Sequence, residues 1–216
     1  MNIRKNALGF RRKIGLGCLK VFNPKLARDI KDYFLDYNAK IKRTPRPFTE
    51  FLVKQFGNKK LTGLEIGFFE GKNAFSLLSE LNIAKLYCVD PFLFMAYKEN
   101  GRYLNTKREF DHSKYELLKL EPRVQFILKT SDEAFGLYGF KDLDFVYIDG
   151  NHETDFCFRD LVNSWNSLKM GGFVGGHDFT TQFENTVVPA IFRFAVNFKV
   201  EPTIGIPDFW FKKVAK

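Results

Sequence analysis

Four titratable side chains fall into two short stretches: Asp149 and His152 in Tyr147-Ile148-Asp149-Gly150-Asn151-His152, and His177 and Asp178 in Gly175-Gly176-His177-Asp178. Each stretch ends an apolar run of strand length, and neighbouring parallel strands would bring both to one sheet edge. Asp149, His177 and Asp178 together could ligate a hard divalent cation such as Mg2+, although imidazole is a poorer ligand for it than carboxylate. His152, whose ordinary pKa lies near neutrality, suits a general base, with Asp149 the second choice. A single His or Asp on a loop usually caps a turn or faces water; the convergence of four points to a site.

A second constellation lies upstream. Glu65-Ile66-Gly67 ends another apolar run and Gly71 opens a helical pattern, which puts flexible backbone where a ligand would pass close to a strand-to-helix turn. The G-x-G-x-x-G pattern of a pyrophosphate-binding turn is missing, and the Glu65 carboxylate would repel phosphate but attract an ammonium group. The expectation therefore shifts from a dinucleotide towards S-adenosylmethionine. Asp90 ends the next strand 25 positions after Glu65, near the interval of about 20 at which an acid meets ribose hydroxyls in such folds. Ser131, after the third strand, suits either a helix N-cap or an adenine contact, and one hydroxyl can serve both.

These residues need a scaffold that lines up strand ends. Short apolar runs at 61–66, 85–90, 124–129, 143–149 and 173–177 alternate with helical patterns at 72–81, 114–120, 132–137, 153–168 and 189–198, the signature of β-α units in a parallel sheet. The ending differs. Pro202 to Ile206 and Phe209 to Val214 are joined by a link too short for a helical crossover, so they must pair antiparallel. The expected fold class is α/β: a doubly wound, seven-stranded, mostly parallel, Rossmann-like sheet with an antiparallel C-terminal hairpin. Helical spacing at 25–38 and again from about Thr49 to Phe56, broken by Thr44-Pro45-Arg46-Pro47, adds an N-terminal helical extension. The division expected is residues 1–48 as that extension and 49–216 as the ligand-binding domain.

Composition agrees with a globular domain: 216 residues, 45% hydrophobic and 27% charged, with 26 Phe to fill a bulky core. Cys18, Cys88 and Cys157 are odd in number and widely spaced, which suggests neither a disulfide framework nor a zinc site. With no apolar run near bilayer length, a reduced, cytoplasmic setting is expected. The net charge of +9 is uneven, since residues 1–60 hold 16 Lys and Arg against 4 Asp and Glu. That segment could face nucleic acid, a membrane surface or an acidic substrate, or simply be solvated.

Taken together, Leu64-Glu65-Ile66-Gly67 with Gly71, Val89-Asp90-Pro91-Phe92, Tyr147 to His152, Leu168-Lys169-Met170-Gly171-Gly172 and Gly176-His177-Asp178-Phe179 resemble the small S-adenosylmethionine-dependent O-methyltransferases. The pattern is similar to macrocin-type sugar O-methyltransferases and more distantly to catechol-type enzymes, and it covers the chain from about Thr49 onward. The resemblance implies that Glu65, Gly67, Gly71 and Asn73 surround the methionine part of the cofactor. It places Asp90 at the ribose, Ser131 at the adenine, and Asp149 at both cofactor and metal. His177 and Asp178 occupy successive places where catechol-type enzymes have Asp then Asn, and His152 that of their catalytic lysine. The His for Asp exchange removes one hard ligand and weakens the metal expectation.

The reaction expected is transfer of the sulfonium methyl to a hydroxyl oxygen of a small molecule or sugar, assisted by a base, a metal or both. The segment from Leu93 to His112, with Tyr97, Arg102 and Tyr103, has the length of a lid over the substrate. Two alternatives carry the basic N-terminus further. One is methylation of RNA or another anionic polymer; the other is a non-catalytic cofactor-binding protein whose basic arm attaches to membrane or nucleic acid.

Overall fold

The computed structural model describes residues 45–69, 71–91, 97–99, 102–104, 121–179 and 187–214. In chain order the elements are α1 (Pro47–Phe56), β1 (Leu61–Ile66), α2 (Lys72–Glu80), β2 (Ile83–Val89), β3 (Tyr97–Glu99), β4 (Arg102–Leu104), β5 (Val124–Ile127) and α3 (Ser131–Tyr138). They continue with β6 (Leu143–Ile148), α4 (Thr154–Ser167), β7 (Leu168–Gly176), α5 (Val187–Phe198), β8 (Thr203–Gly205) and β9 (Asp208–Lys212). No helix among the described residues is long and apolar enough to cross a membrane.

Seven strands form one sheet in the order β5-β2-β1-β6-β7-β9-β8. Pairings β1/β2, β1/β6, β2/β5 and β6/β7 are parallel, whereas β9 runs antiparallel to both β7 and β8. The strand order reverses at β1, with β2 on one side and β6 on the other, and a crevice opens at the carboxyl ends of strands on either side of such a switch. The expected parallel sheet and its antiparallel ending are both present, with β9 inserted between β7 and β8.

Helices cover both faces, which is why β6 is buried along its whole length. On one face Phe48 and Leu52 of α1 and Leu77 of α2 pack with Phe145, Tyr147, Phe173 and Trp210. On the other, Leu161 and Trp165 of α4 and Ile191 and Phe194 of α5 pack with Leu64, Ile66, Val146 and Ile148. Neighbouring strand residues alternate between these layers, so Glu65 and Tyr147 share the α1/α2 side.

Several boundaries move, each for a local reason. α1 begins at Pro47, because proline suits the first helical turn and holds the preceding residue extended, with Arg46 at φ −59° and ψ 150°. Phe48, at the expected boundary, is fully buried and packs against the sheet. β7 starts at Leu168, five residues before the expected strand. Gly171, at φ +81°, and Gly172, lying against the backbone of β6, let the chain bend back into the sheet directly after α4. The cap of α3 is Thr130, one residue before Ser131. Its hydroxyl accepts from the Glu133 N–H while the Glu133 carboxylate accepts from the Thr130 N–H, a capping box. Within the segment expected to form a lid, β3 and β4 pair antiparallel; the remainder, and the helices expected at 25–38 and 114–120, lie outside the described residues.

Phe48 stacks on Tyr147 and Trp210 at ring-centroid distances of 5.8 and 5.6 Å. Gly175 lies beneath it with no room for a side chain. Phe48→Ala is expected to lower the unfolding free energy by about 3–5 kcal/mol, measured by urea denaturation. A loss below about 1 kcal/mol would show that α1 is not part of the cooperative core.

Candidate functional site

The turn after β1 is shaped by glycine. Gly67 has φ +80°, and a Cβ there would collide with the carbonyl oxygen of Asp149. Gly71 caps α2 from the left-handed region at φ +71°. Behind this turn Glu65 is 1% exposed, and one of its oxygens accepts a 3.0 Å hydrogen bond from the Asn73 side-chain amide. Its second oxygen, and the amide oxygen of Asn73, are buried acceptors with no hydrogen-bond donor among the described residues. Burial, opposed by Asn73, pushes the Glu65 pKa up to about 8.

Asp90, at the end of β2, is buried and accepts a 2.9 Å hydrogen bond from the Phe69 N–H, which ties it to the same turn. Ser131 opens α3 and its hydroxyl bonds to Asp160, a buried acid of α4 whose pKa burial raises to about 7. Ser131 therefore sits at the third strand end, as expected, though as the first helical residue and not as the cap.

At the switch point the tips of β1 and β6 stay paired beyond the strands, the Asp149 N–H donating to the Ile66 carbonyl at 2.7 Å. The His177 N–H in turn donates to the Ile148 carbonyl at 3.0 Å. These bonds bring the four expected side chains together. His152 Nε2 lies 2.9 Å from one oxygen of Asp178 and 3.9 Å from Asp149, and His177 Nδ1 lies 2.9 Å from the other oxygen of Asp178. Asp178 itself takes φ +66°, a conformation Asp tolerates better than most residues. The carboxylates of Asp149 and Asp178 raise the His152 pKa to about 10, against the opposing effect of burial. The expectation of a near-neutral imidazole is thereby corrected: next to two carboxylates His152 is charged at neutral pH. Burial would raise Asp178, but the two imidazoles hold it well below the usual carboxylate range.

Against this geometry, residues 64–179, more than half of the chain, match the family described as a methyltransferase domain. The chain belongs to this methyltransferase family. A curated relative, the uncharacterized protein R132 of Acanthamoeba polyphaga mimivirus, is 24% identical over 143 residues, 66% of this chain and 62% of the viral protein. The chain thus spans less than two thirds of the length of that relative. Among solved structures, a SAM-dependent O-methyltransferase from Thermotoga maritima superposes with a TM-score of 0.55 at 16% identity, covering 84% of this chain and 71% of that one. The tRNA (m1A58) methyltransferase TrmI from Aquifex aeolicus superposes at 0.50 and 14%, covering 78% and 69%. The shared property is the Rossmann-like methyltransferase fold.

In this member of the family the β1 turn offers buried acceptors that fit an S-adenosylmethionine end group. The buried acceptors of Glu65 and Asn73 suit the N–H donors of an ammonium group, and Asp90 at the next strand end suits a ribose. The metal expectation fares differently. The ligand atoms that lie within 4.8 Å of one another belong to Asp149, His152 and Asp178, while His177 turns to the far oxygen of Asp178.

The sequence reading missed Arg46. Its Nη1 donates to Asp149 Oδ2 at 2.6 Å and to the Tyr147 hydroxyl at 3.0 Å. The Tyr147 hydroxyl donates to Asp208 Oδ1 at 3.1 Å, and Asp208 Oδ2 accepts from the Phe48 N–H at 3.0 Å. The signal available was an arginine fixed between two prolines, Pro45 and Pro47, just before an aromatic helix. Tyr147→Phe removes the donor to Asp208, which is fully buried. It should cost about 1–3 kcal/mol in urea denaturation, and an unchanged midpoint would show that this hydroxyl does not fasten the site.

Proposed function

We propose that the protein is an S-adenosylmethionine-dependent O-methyltransferase acting on a hydroxyl of a small molecule or sugar. The observation that carries the reading is the junction of the two constellations. The cofactor turn at Gly67 and the acid–imidazole cluster are neighbours through the Asp149 N–H to Ile66 carbonyl bond, so a methyl group held at the turn faces proton-handling groups. When bound, S-adenosylmethionine supplies an electrophilic sulfonium methyl.

The chain's own residues divide the remaining work. Glu65 and Asn73 hold the ammonium end, Gly67 and Gly71 leave room for the methionine part, Asp90 takes the ribose hydroxyls, and Ser131 meets the adenine. His152 removes the acceptor's hydroxyl proton while Asp178 orients its imidazole. Asp149 positions the acceptor and the cofactor edge of the loop. Support for an oxygen acceptor comes from this acid–imidazole cluster and from the O-methyltransferase among the structural relatives; the basic N-terminal composition and the tRNA methyltransferase neighbour make RNA the rival acceptor.

Two outcomes test the assignments. Glu65 is protonated below about 8 and must ionise to hold an ammonium, so cofactor binding releases a proton. Affinity for S-adenosylmethionine should therefore rise up to about tenfold per pH unit between pH 6 and 7 and level off near 8, where an α-amino group loses its own proton (about 7.7–8.0). Calorimetry with Glu65→Gln should show weaker binding that lacks the rise between pH 6 and 7. No binding of millimolar cofactor by the native chain would sink the enzyme reading.

For the chemical step, His152 accepts a proton only when neutral, so turnover should climb with pH towards about 10. His152→Gln should lower kcat by about 10²–10⁴-fold and flatten that climb. Methyl transfer to a hydroxylated small-molecule panel and to transfer RNA, measured with labelled cofactor, decides between the acceptors: label found only in RNA would overturn the small-molecule assignment.

A further inference from the structure

We propose that Arg46 is the resident cation of the transfer site, seated on Asp149 in the place a divalent metal would need, so that this methyltransferase works without one. The inference rests on reading the cluster as a methyl-transfer site, and it starts from the donor set. A hard cation needs carboxylate oxygens with available lone pairs and room on their outer side. Asp149 Oδ2 already carries the Arg46 guanidinium at 2.6 Å, its Oδ1 faces the His152 imidazole at 3.9 Å, and the two oxygens of Asp178 are each taken by an imidazole at 2.9 Å. The third ligand, whether His177 of the expected triad or His152 of the group whose atoms converge, is an imidazole, a poor ligand for Mg2+, and each already faces Asp178.

The guanidinium is built in rather than adventitious. Pro45 and Pro47 flank Arg46 and hold it extended at the start of α1. The Tyr147 hydroxyl accepts its second hydrogen bond at 3.0 Å, and the Tyr147 ring lies 5.4 Å from its Cζ. Asp208 locks Tyr147 from behind and also receives the Phe48 N–H, two residues after Arg46. A metal bound to Asp149 Oδ2 at about 2.1 Å would lie within about 5 Å of the guanidinium nitrogen, where like charges oppose each other strongly inside a protein. Arg46 thus does two things a metal would do: it neutralises Asp149 and fixes its orientation. Its other nitrogens, Nε and Nη2, have no acceptor among the described residues, and its side chain is 31% exposed, so N–H donors remain to meet an acceptor oxygen as it loses its proton.

The test uses the full chain and Mn2+ as the probe, read by the electron paramagnetic resonance signal of free aquo-Mn2+, with S-adenosylmethionine calorimetry on the same samples. The native chain should leave Mn2+ free at millimolar concentration. Arg46→Gln and, as a second variant that keeps the apolar stem, Arg46→Met should each gain a saturable site that is lost again when Asp149→Asn is added. Tight Mn2+ binding by the native chain that Asp149→Asn removes would overturn the proposal, as would two folded Arg46 variants that gain no site. Failure of the native chain to bind S-adenosylmethionine would instead sink the methyltransferase reading, whatever the Mn2+ signal shows.

Discussion

The parallel pairing of β1 with β6, carried one residue past the strands by the Asp149 N–H to Ile66 carbonyl bond, is the contact on which the site depends. It sets the turn that begins at Gly67 against the loop that begins at Asp149, and the absence of a side chain at Gly67 is what lets the two backbones meet. The candidate site residues flank that seam: Glu65, Asn73 and Asp90 on the β1/β2 side, and His152, His177 and Asp178 on the β6/β7 side. Parallel strands make this possible because each carries its carboxyl end to the same edge of the sheet.

Placing so many acids at one edge creates an electrostatic problem, and the structure solves it differently on the two sides. Glu65 is withdrawn from water with a single amide for company, and burial favours its neutral form until a cation arrives. Asp149 and Asp178 stay ionised because positive groups surround them: Arg46 and His152 at one, His152 and His177 at the other. The first arrangement suits a group that waits for a charged ligand, and the second a group whose charge must be present throughout.

The sheet was legible in the sequence because its central strands are buried on both faces and read as short apolar runs; β1 and the start of β6 fall where those runs do. Asp149, His152, His177 and Asp178 could be grouped because strand ends gather, a matter of topology. What escaped was set by contacts across long separations. Arg46 meets Asp149 across 103 positions, and nothing local to Pro45-Arg46-Pro47 announces a carboxylate partner. The start of β7 at Leu168 depends on pairing with β6, while its own Gly171-Gly172 resembles a turn. The raised pKa of His152 comes from Asp149, three residues before it, and from Asp178, whose approach to 2.9 Å no spacing along the chain reveals. Thr130 and Ser131 are both good caps, and the choice between them fell to the reach of Glu133.

Asp208 joins the start of α1 to the floor of the site, through Phe48 at a separation of 160 residues and Tyr147 at 61. Contacts so distant along the chain carry a loop-closure cost that local contacts do not. The setting of Arg46 therefore depends on β9 as well as on β6, because Tyr147, which accepts from Arg46, is held by Asp208 at the start of β9. The pairings of β1 with β2 and β6 that set the Gly67 turn do not involve β9, whereas the Tyr147 and Phe48 contacts of Asp208 do. A ligand that bound only the complete domain would stabilise it by mass action, and β9, remote from the Gly67 turn, would contribute to that stability through Asp208.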